Sequence, residues 1–352
     1  FWLKSFSWPK RSRGHPPAKE RSWRTGSGAR GQFFRGGAMA LSQVLAASAI
    51  LCCGAACLRA AWRPGRCPED GGRWRAVSAL AFILNVVAVS LPGRFDSDPG
   101  AMLDMPQLLA PAPWAFAIWA VIYLGELVGL AWTFVGLGPE DRGALSRAAP
   151  AWCAGNVAQC LWCAAFRPWA RQAMWLSAAL LGTTAACLLP AQLAAREVQS
   201  RPAAALVVLP RSLHLGWATA ATLVNINGYV GVSCGAAAAA WLVALSSVAV
   251  GVLAGAAYAR RGLPAAAGAV CWALWACSCG QPMGGAHREL WAGAMQALHR
   301  AEAAGAGLLS LAVAAAWLRG RGGPRCGAAR RGSECRAACG GGPEIAEAVL
   351  GS

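Results

Sequence analysis

The sequence predicts an all-α integral membrane protein with eight or nine transmembrane helices. Three observations carry that prediction. The chain has 352 residues, 57% of them apolar and only 13% charged, whereas soluble domains carry about 25% charged residues. Its mean hydropathy is +0.42. Apolar runs recur along it, most of them near the roughly 17–25 residues that cross a ~30 Å hydrocarbon core at about 1.5 Å per residue. The composition is rich in Ala and includes 42 Gly, and small residues let membrane helices approach closely.

The elements follow in order. Residues 1–37 are basic, rich in Gly, Ser and Pro, and without apolar periodicity; they read as a disordered or targeting segment. Residues 38–58 form the first apolar run, which reads as a signal peptide, a signal anchor or a span. Further runs cover 76–91, 113–137, 149–166, 172–195, 210–232, 235–259, 263–280 and 303–318. Pro210 opens its run, as proline at a first helical position does. The connection 281–302, with His287, Trp291 and His299, reads as an interfacial amphipathic helix. The tail 319–352 is rich in Gly, Arg and Cys and reads as disordered. Neither a tandem nor an inverted repeat is visible.

The net charge of +17 would point to nucleic acid in a soluble protein. Here the basic residues lie mostly between or outside the apolar runs, and no basic-aromatic binding module interleaves them. They read as positive-inside determinants and contacts to lipid phosphates, so the bilayer is the expected partner and nucleic acid is not. Loop 59–75, Arg260, Arg261 and the tail from 319 share one side, which places the C-terminus in the cytosol. Neither the organelle nor the oligomeric state follows, and a homodimer is allowed for. Of the fifteen cysteines, Cys153, Cys160, Cys163, Cys187, Cys271, Cys277 and Cys279 are among those inside apolar runs, where a free thiol acts as a small hydrophobe. The tail cysteines lack paired C-x2-C units and a neighbouring His, so no zinc pattern arises.

Chemistry-bearing motifs are few. There is no G-x-S-x-G, no P-loop and no H-E-x-x-H, and the four His do not form metal-ligand spacings. The expectation is therefore no enzyme, no catalytic residue, no metal and no cofactor. The informative stretch is 111–125, which places Trp114, Phe116, Trp119 and Tyr123 within ten residues. Trp119 and Tyr123 are one helical turn apart on one face. The four aromatics form either an interfacial belt or one wall of an apolar pocket.

Glu126 follows one turn later, inside the run. A carboxylate there costs about 2.5–3.5 kcal/mol on insertion scales, so it lines a cavity or bonds a neighbouring helix in protonated form. Arg211 and His214 lie at i, i+3. Arg211 reads as snorkelling to headgroups, and His214 as a hydrogen-bonded core residue or a ligand. The amides Asn85, Asn156, Gln159, Asn225 and Asn227 are either interhelical glue or ligand contacts.

At this point the runs resemble a known family. Residues 112–123, APWAFAIWAVIY, are similar to the start of the second helix of the TspO/MBR family, the tryptophan-rich sensory or translocator proteins. The closest likeness is to a longer branch with extra C-terminal helices. Residues 152–162, with Phe166, resemble the third helix, and residues 209–225 the fifth. Asn85 resembles the asparagine of the first helix. The resemblance implies a TspO-like five-helix bundle at 76–232 and a three-helix extension at 235–318. It also implies a pocket inside the bundle for a tetrapyrrole or another flat hydrophobic molecule, with a porphyrin as the expected ligand. Matched positions are Trp114, Phe116, Trp119, Tyr123, Trp162, Trp217 and Asn225. Gln159 stands where the family carries Asn, and Glu126 where it carries an apolar residue. The expected function is binding, sensing or moving that ligand. The alternative is secondary transport of a small solute with Glu126 and His214 as a proton relay.

Overall fold

A computed structural model describes residues 72–95, 108–233, 237–280 and 292–322. The readings made for 1–37, 38–58, most of the tail, and 281–291 lie outside the described residues. Eight long helices appear among the described residues: α1 (Arg73–Ser90), α2 (Ile118–Val135), α3 (Pro139–Ala165), α4 (Met174–Ala195), α5 (Leu209–Ser233), α6 (Ala237–Arg260), α7 (Pro264–Ser278) and α8 (Ala292–Gly322). No strand occurs among them. A 3-10 turn at Pro113–Ala117 leads into α2, and another at Pro168–Ala173 into α4.

Among the described residues, four segments are long and apolar enough to cross a bilayer: Arg73–Ser90, Pro113–Val135, Met174–Ala195 and Trp241–Arg260. Their outward faces carry exposed Val121, Leu124, Leu127, Leu242 and Leu253, which lipid rather than water would cover. α3 lies between α1 and α4, and α4 packs on α5. α5 in turn packs on α6 and α7, and α8 closes against α6 and α7.

Local sequence sets the element ends. α3 opens on Pro139 with Glu140 and Asp141 in its first turn; the proline gives up an amide that would be unpaired there, and the acids face the positive helix end. α3 therefore starts well before the apolar run at 149. α6 ends at a turn where Gly262 takes φ +73° and Leu263 N donates to Tyr258 O at 2.9 Å. That backbone conformation favours glycine.

Two expectations are corrected. Helix precedes Pro210: a turn at Arg201–Ala203 and a π-helical turn at Ala204–Val208 run directly into α5. Proline clashes with the carbonyl four residues earlier, here Leu206, and a π turn relieves such a clash by widening the helix. Secondly, residues 292–302 do not form a separate interfacial helix, because α8 continues unbroken from Ala292 through the last apolar run.

The π turn matters for packing. A β-carbon built on Gly125 would lie 2.7 Å from Pro210 Cγ, and one on Gly129 2.2 Å from Leu206 O. Two glycines one turn apart thus let α2 seat against the distorted start of α5, the small-x3-small contact of membrane helices. This contact brings Glu126 to α5.

Candidate functional site

A small cavity of about 40 Å3 lies between α2, α3, α4, α5 and α7. Phe116 and Trp119 wall it from the α2 side, Trp162 and Phe166 from α3, and Met174 from α4. α5 contributes Trp217, Ala220, Ala221, Val224 and Asn225, and α7 contributes Ala273. The α5 residues recur at i, i+3, i+4, i+7 and i+8, one face of a helix. Ala220 and Ala221 leave the room that larger side chains would fill.

The rings pack on one another. Trp119 meets Trp217 edge-on at 6.2 Å and Phe116 meets Trp217 at 5.8 Å, while Trp162 stacks on Phe166 at 5.2 Å. Trp162 Nε1 donates to Ser177 Oγ at 2.9 Å, and that hydroxyl donates to Asn225 Oδ1 at 2.6 Å. Trp217 Nε1 is buried and has no protein partner. A buried indole N–H normally finds one, so this donor is left for a group that reaches it once the rings move.

Behind Trp119 lies a polar network of buried side chains joined through the half-buried Tyr123. Tyr123 stacks on Trp119 with ring centroids 5.4 Å apart, and His214 meets the same indole edge-on at 5.6 Å. His214 Nδ1 lies 2.9 Å from Glu126 Oε1, and both side chains are fully buried. His214 Nε2 contacts Gln159 Oε1 at 2.5 Å. Gln159 Nε2 donates to Tyr123 Oη at 2.9 Å, and Tyr123 Oη donates to Asn85 Oδ1 at 3.4 Å. Asn85 Nδ2 donates to Asn156 Oδ1 at 2.8 Å and to Gln159 Oε1 at 3.3 Å. Asn156 Nδ2 donates to the Trp152 carbonyl at 3.0 Å. Four helices meet in this network, α1, α2, α3 and α5.

Five of the nine site residues expected from sequence line the cavity: Phe116, Trp119, Trp162, Trp217 and Asn225. Tyr123, Glu126 and Gln159 belong to the network behind it. Trp114 is brought to neither. It packs on Trp272 at 4.9 Å and Trp275 at 4.7 Å, while Trp272 Nε1 donates to Ala115 O at 3.1 Å and pins the 3-10 turn. Arg211 does not snorkel outward. It is buried, with its guanidinium carbon 4.1 Å from the Trp152 ring centroid, because Glu126 supplies opposite charge nearby and the indole face takes the cation.

The amides act as glue. Asn85 and Asn156 join α1 to α3, Asn225 joins α5 to α4, and Asn227 Oδ1 accepts from the Leu108 and Leu109 amides at 2.8 and 2.9 Å. The lining residues outside the expected nine are Pro111, Phe166, Met174, Ala220, Ala221, Val224 and Ala273. The α5 periodicity from Trp217 could have found three of them. Nothing local marks Ala273.

The family model described as TSPO-like protein matches residues 75–312. No curated protein and no solved structure matches the chain. The match runs from within α1 to within α8 and takes in well over half of the sequence. The chain is therefore a member of the TSPO-like protein family, built as an all-helical, multi-pass integral membrane protein.

Proposed function

We propose that the protein binds a planar, largely hydrophobic ligand of the tetrapyrrole type in the aromatic cavity and senses or moves it within the membrane. One observation carries this reading: a buried cavity walled by Phe116, Trp119, Trp162 and Trp217, with the Trp217 indole N–H left unpartnered. Aromatic faces stack on a flat π system, and one free donor selects an acceptor on it. The cavity is far smaller than the roughly 300–1,000 Å3 of ligand pockets. Binding therefore requires the Trp119–Trp217 contact to open, with Ala220 and Ala221 giving way to the ligand edge. In this reading residues 76–232 carry the site, the 235–318 extension buttresses it through Ala273, and the C-terminus is cytosolic.

Protoporphyrin IX should quench the Trp fluorescence of purified protein saturably. Trp217→Phe keeps a ring and removes the donor, so the dissociation constant should rise about tenfold, the equivalent of a hydrogen bond of about 1.4 kcal/mol. Trp119→Ala should raise it further. Quenching no greater than in empty lipid controls overturns the reading.

The buried Glu126–His214 contact favours a second reading, proton-coupled transport of a small solute. Proteoliposomes would then take up solute in response to a pH gradient, and Glu126→Gln would abolish that response. Uptake that ignores the gradient overturns it.

A further inference from the structure

The hydrogen-bond directions in the buried network follow from one fixed point. The Trp152 carbonyl can only accept, so the Asn156 amide must donate to it. Asn156 Oδ1 must then accept from Asn85, and Asn85 Oδ1 must accept from the Tyr123 hydroxyl. The Tyr123 oxygen in turn accepts from Gln159 Nε2, which turns Gln159 Oε1 toward His214. His214 therefore carries its proton on Nε2. Its Nδ1 faces the Glu126 carboxyl at 2.9 Å, and a second proton must sit between them. It makes either an imidazolium–carboxylate pair or a carboxylic acid bonded to neutral imidazole. Without that proton, two lone pairs would face each other in a water-excluded core.

We propose that Glu126, His214 and Gln159 form a proton-binding site whose occupancy is linked to the aromatic cavity through Tyr123 and Trp119. This goes beyond ligand binding itself, and its first half stands without a ligand. When the site loses its proton, the remaining imidazole proton moves to Nδ1 and donates to the Glu126 carboxylate. Nε2 becomes an acceptor, so the Gln159 amide must turn its nitrogen toward it. Gln159 Oε1 then accepts a hydrogen bond from the Tyr123 hydroxyl. The contacts given up are Tyr123–Asn85 at 3.4 Å and Asn85–Gln159 at 3.3 Å, while Asn85–Asn156 at 2.8 Å and Asn156–Trp152 at 3.0 Å stay whole. The rearrangement is thus confined to the side of the network nearer the cavity.

Tyr123 is stacked on Trp119, and His214 abuts the same indole. A ligand that displaces Trp119 acts on both ends of the switch, and linkage makes the effect reciprocal. The carboxyl atom left for proton entry is Glu126 Oε2, which is buried without a protein partner. Other titratable groups surround the site. Arg211 on α5 faces Glu126 and interacts with Cys153 on α3. Tyr123 on α2 interacts with Cys160 and Cys163 on α3 and with Arg94 beyond α1.

The test uses the full chain in lipid nanodiscs, with 15N-labelled His and 13C-labelled Tyr. With four His and three Tyr in the sequence, the signals of His214 and Tyr123 are assigned with His214→Gln and Tyr123→Phe. From mildly acid to mildly alkaline pH, His214 should pass from Nε2–H with a shared proton to Nδ1–H. The Tyr123 ring carbon bonded to oxygen should shift with the same midpoint. In Glu126→Gln the His214 transition should be lost, because the amide donates to Nδ1 at every pH. In Gln159→Leu, His214 should still titrate while Tyr123 no longer follows. With protoporphyrin IX as probe, wild-type affinity should change about tenfold across that midpoint, within the usual range of coupled sites, and less than twofold in Gln159→Leu. A His214 that keeps one tautomer throughout overturns the proton site. A stationary Tyr123 signal while His214 switches overturns the link. Since both signals are read without ligand, failure of protoporphyrin IX to bind at any pH overturns the ligand reading alone.

Discussion

Replacing Glu126 with Leu should cost about 3–5 kcal/mol of stability, far more than an ordinary polar substitution in a membrane bundle. Hydrogen bonds between membrane helices average only about 0.6 kcal/mol. Glu126 differs because two buried groups depend on it. His214 Nδ1 bonds its carboxyl at 2.9 Å, and the buried Arg211 guanidinium feels its charge. Removing one member of a buried pair leaves the other charge uncompensated, which is the costly case. Glu126→Gln should cost less than Glu126→Leu, since the amide still donates to Nδ1, although Arg211 loses the neighbouring carboxyl in both. The double change Glu126→Leu with His214→Leu should be milder than the sum of the single changes, because each disrupts the same contact. Thermal unfolding of purified protein in detergent, arranged as a double-mutant cycle, measures this. A Glu126→Leu cost below about 1 kcal/mol would show that the pair adds nothing beyond ordinary helix glue.

The sequence displays one partner of that pair far better than the pairing itself. Glu126 stands out as a carboxyl in an apolar run, but His214 lies 88 residues away, and no local pattern reports which helices touch. The aromatic wall was more legible. Trp119 and Tyr123 share a face by spacing alone, and Trp217 heads a helix face that runs to Asn225. Trp114 lies apart from the cavity for the opposite reason. It sits in a 3-10 turn rather than in α2, so helical spacing does not carry it to the side of Trp119, and the extension's Trp272 and Trp275 receive it instead. Arg211 was read by the habit of long cations at membrane ends, while its true neighbours, Trp152 and Glu126, come from helices far off in the chain.

The helices outside the set of evident membrane spans are also informative. α5 carries more buried polar groups than any other described helix, among them Arg211, His214 and Asn225, and α3 adds Asn156 and Gln159. Their lower apolarity arises from the network and from the cavity it supports. In water-filled surroundings such residues would turn outward. Here lipid surrounds the bundle, so its interior is the only place where they find partners. The same residues that weaken the hydropathy signal thus mark where chemistry can take place.

Gly129→Ala should test whether helix contact or side-chain chemistry positions Glu126. The added carbon would sit 2.2 Å from Leu206 O, a backbone atom that cannot swing aside. Either α2 or the π turn must move, and overpacking of this kind costs about 1–3 kcal/mol. Gly268→Ala is the control, because nothing lies within 4 Å of its added carbon; there the gain in helix propensity should stabilise by up to about 1 kcal/mol. Opposite signs for two identical substitutions would isolate close packing from propensity. The displacement at Gly129 has a second consequence. Glu126 lies between Gly125 and Gly129 on the stretch of α2 that seats against Pro210 and Leu206, so pushing α2 away should lengthen the Glu126–His214 contact. Gly129→Ala should therefore disturb His214 as Glu126→Gln does, although residue 129 itself bonds nothing in the network. A Gly129→Ala protein that is destabilised yet keeps the wild-type His214 signal would mean that the side chains hold Glu126 in place by themselves. A protein that loses both would mean that the proton pair exists because two glycines let the helices meet.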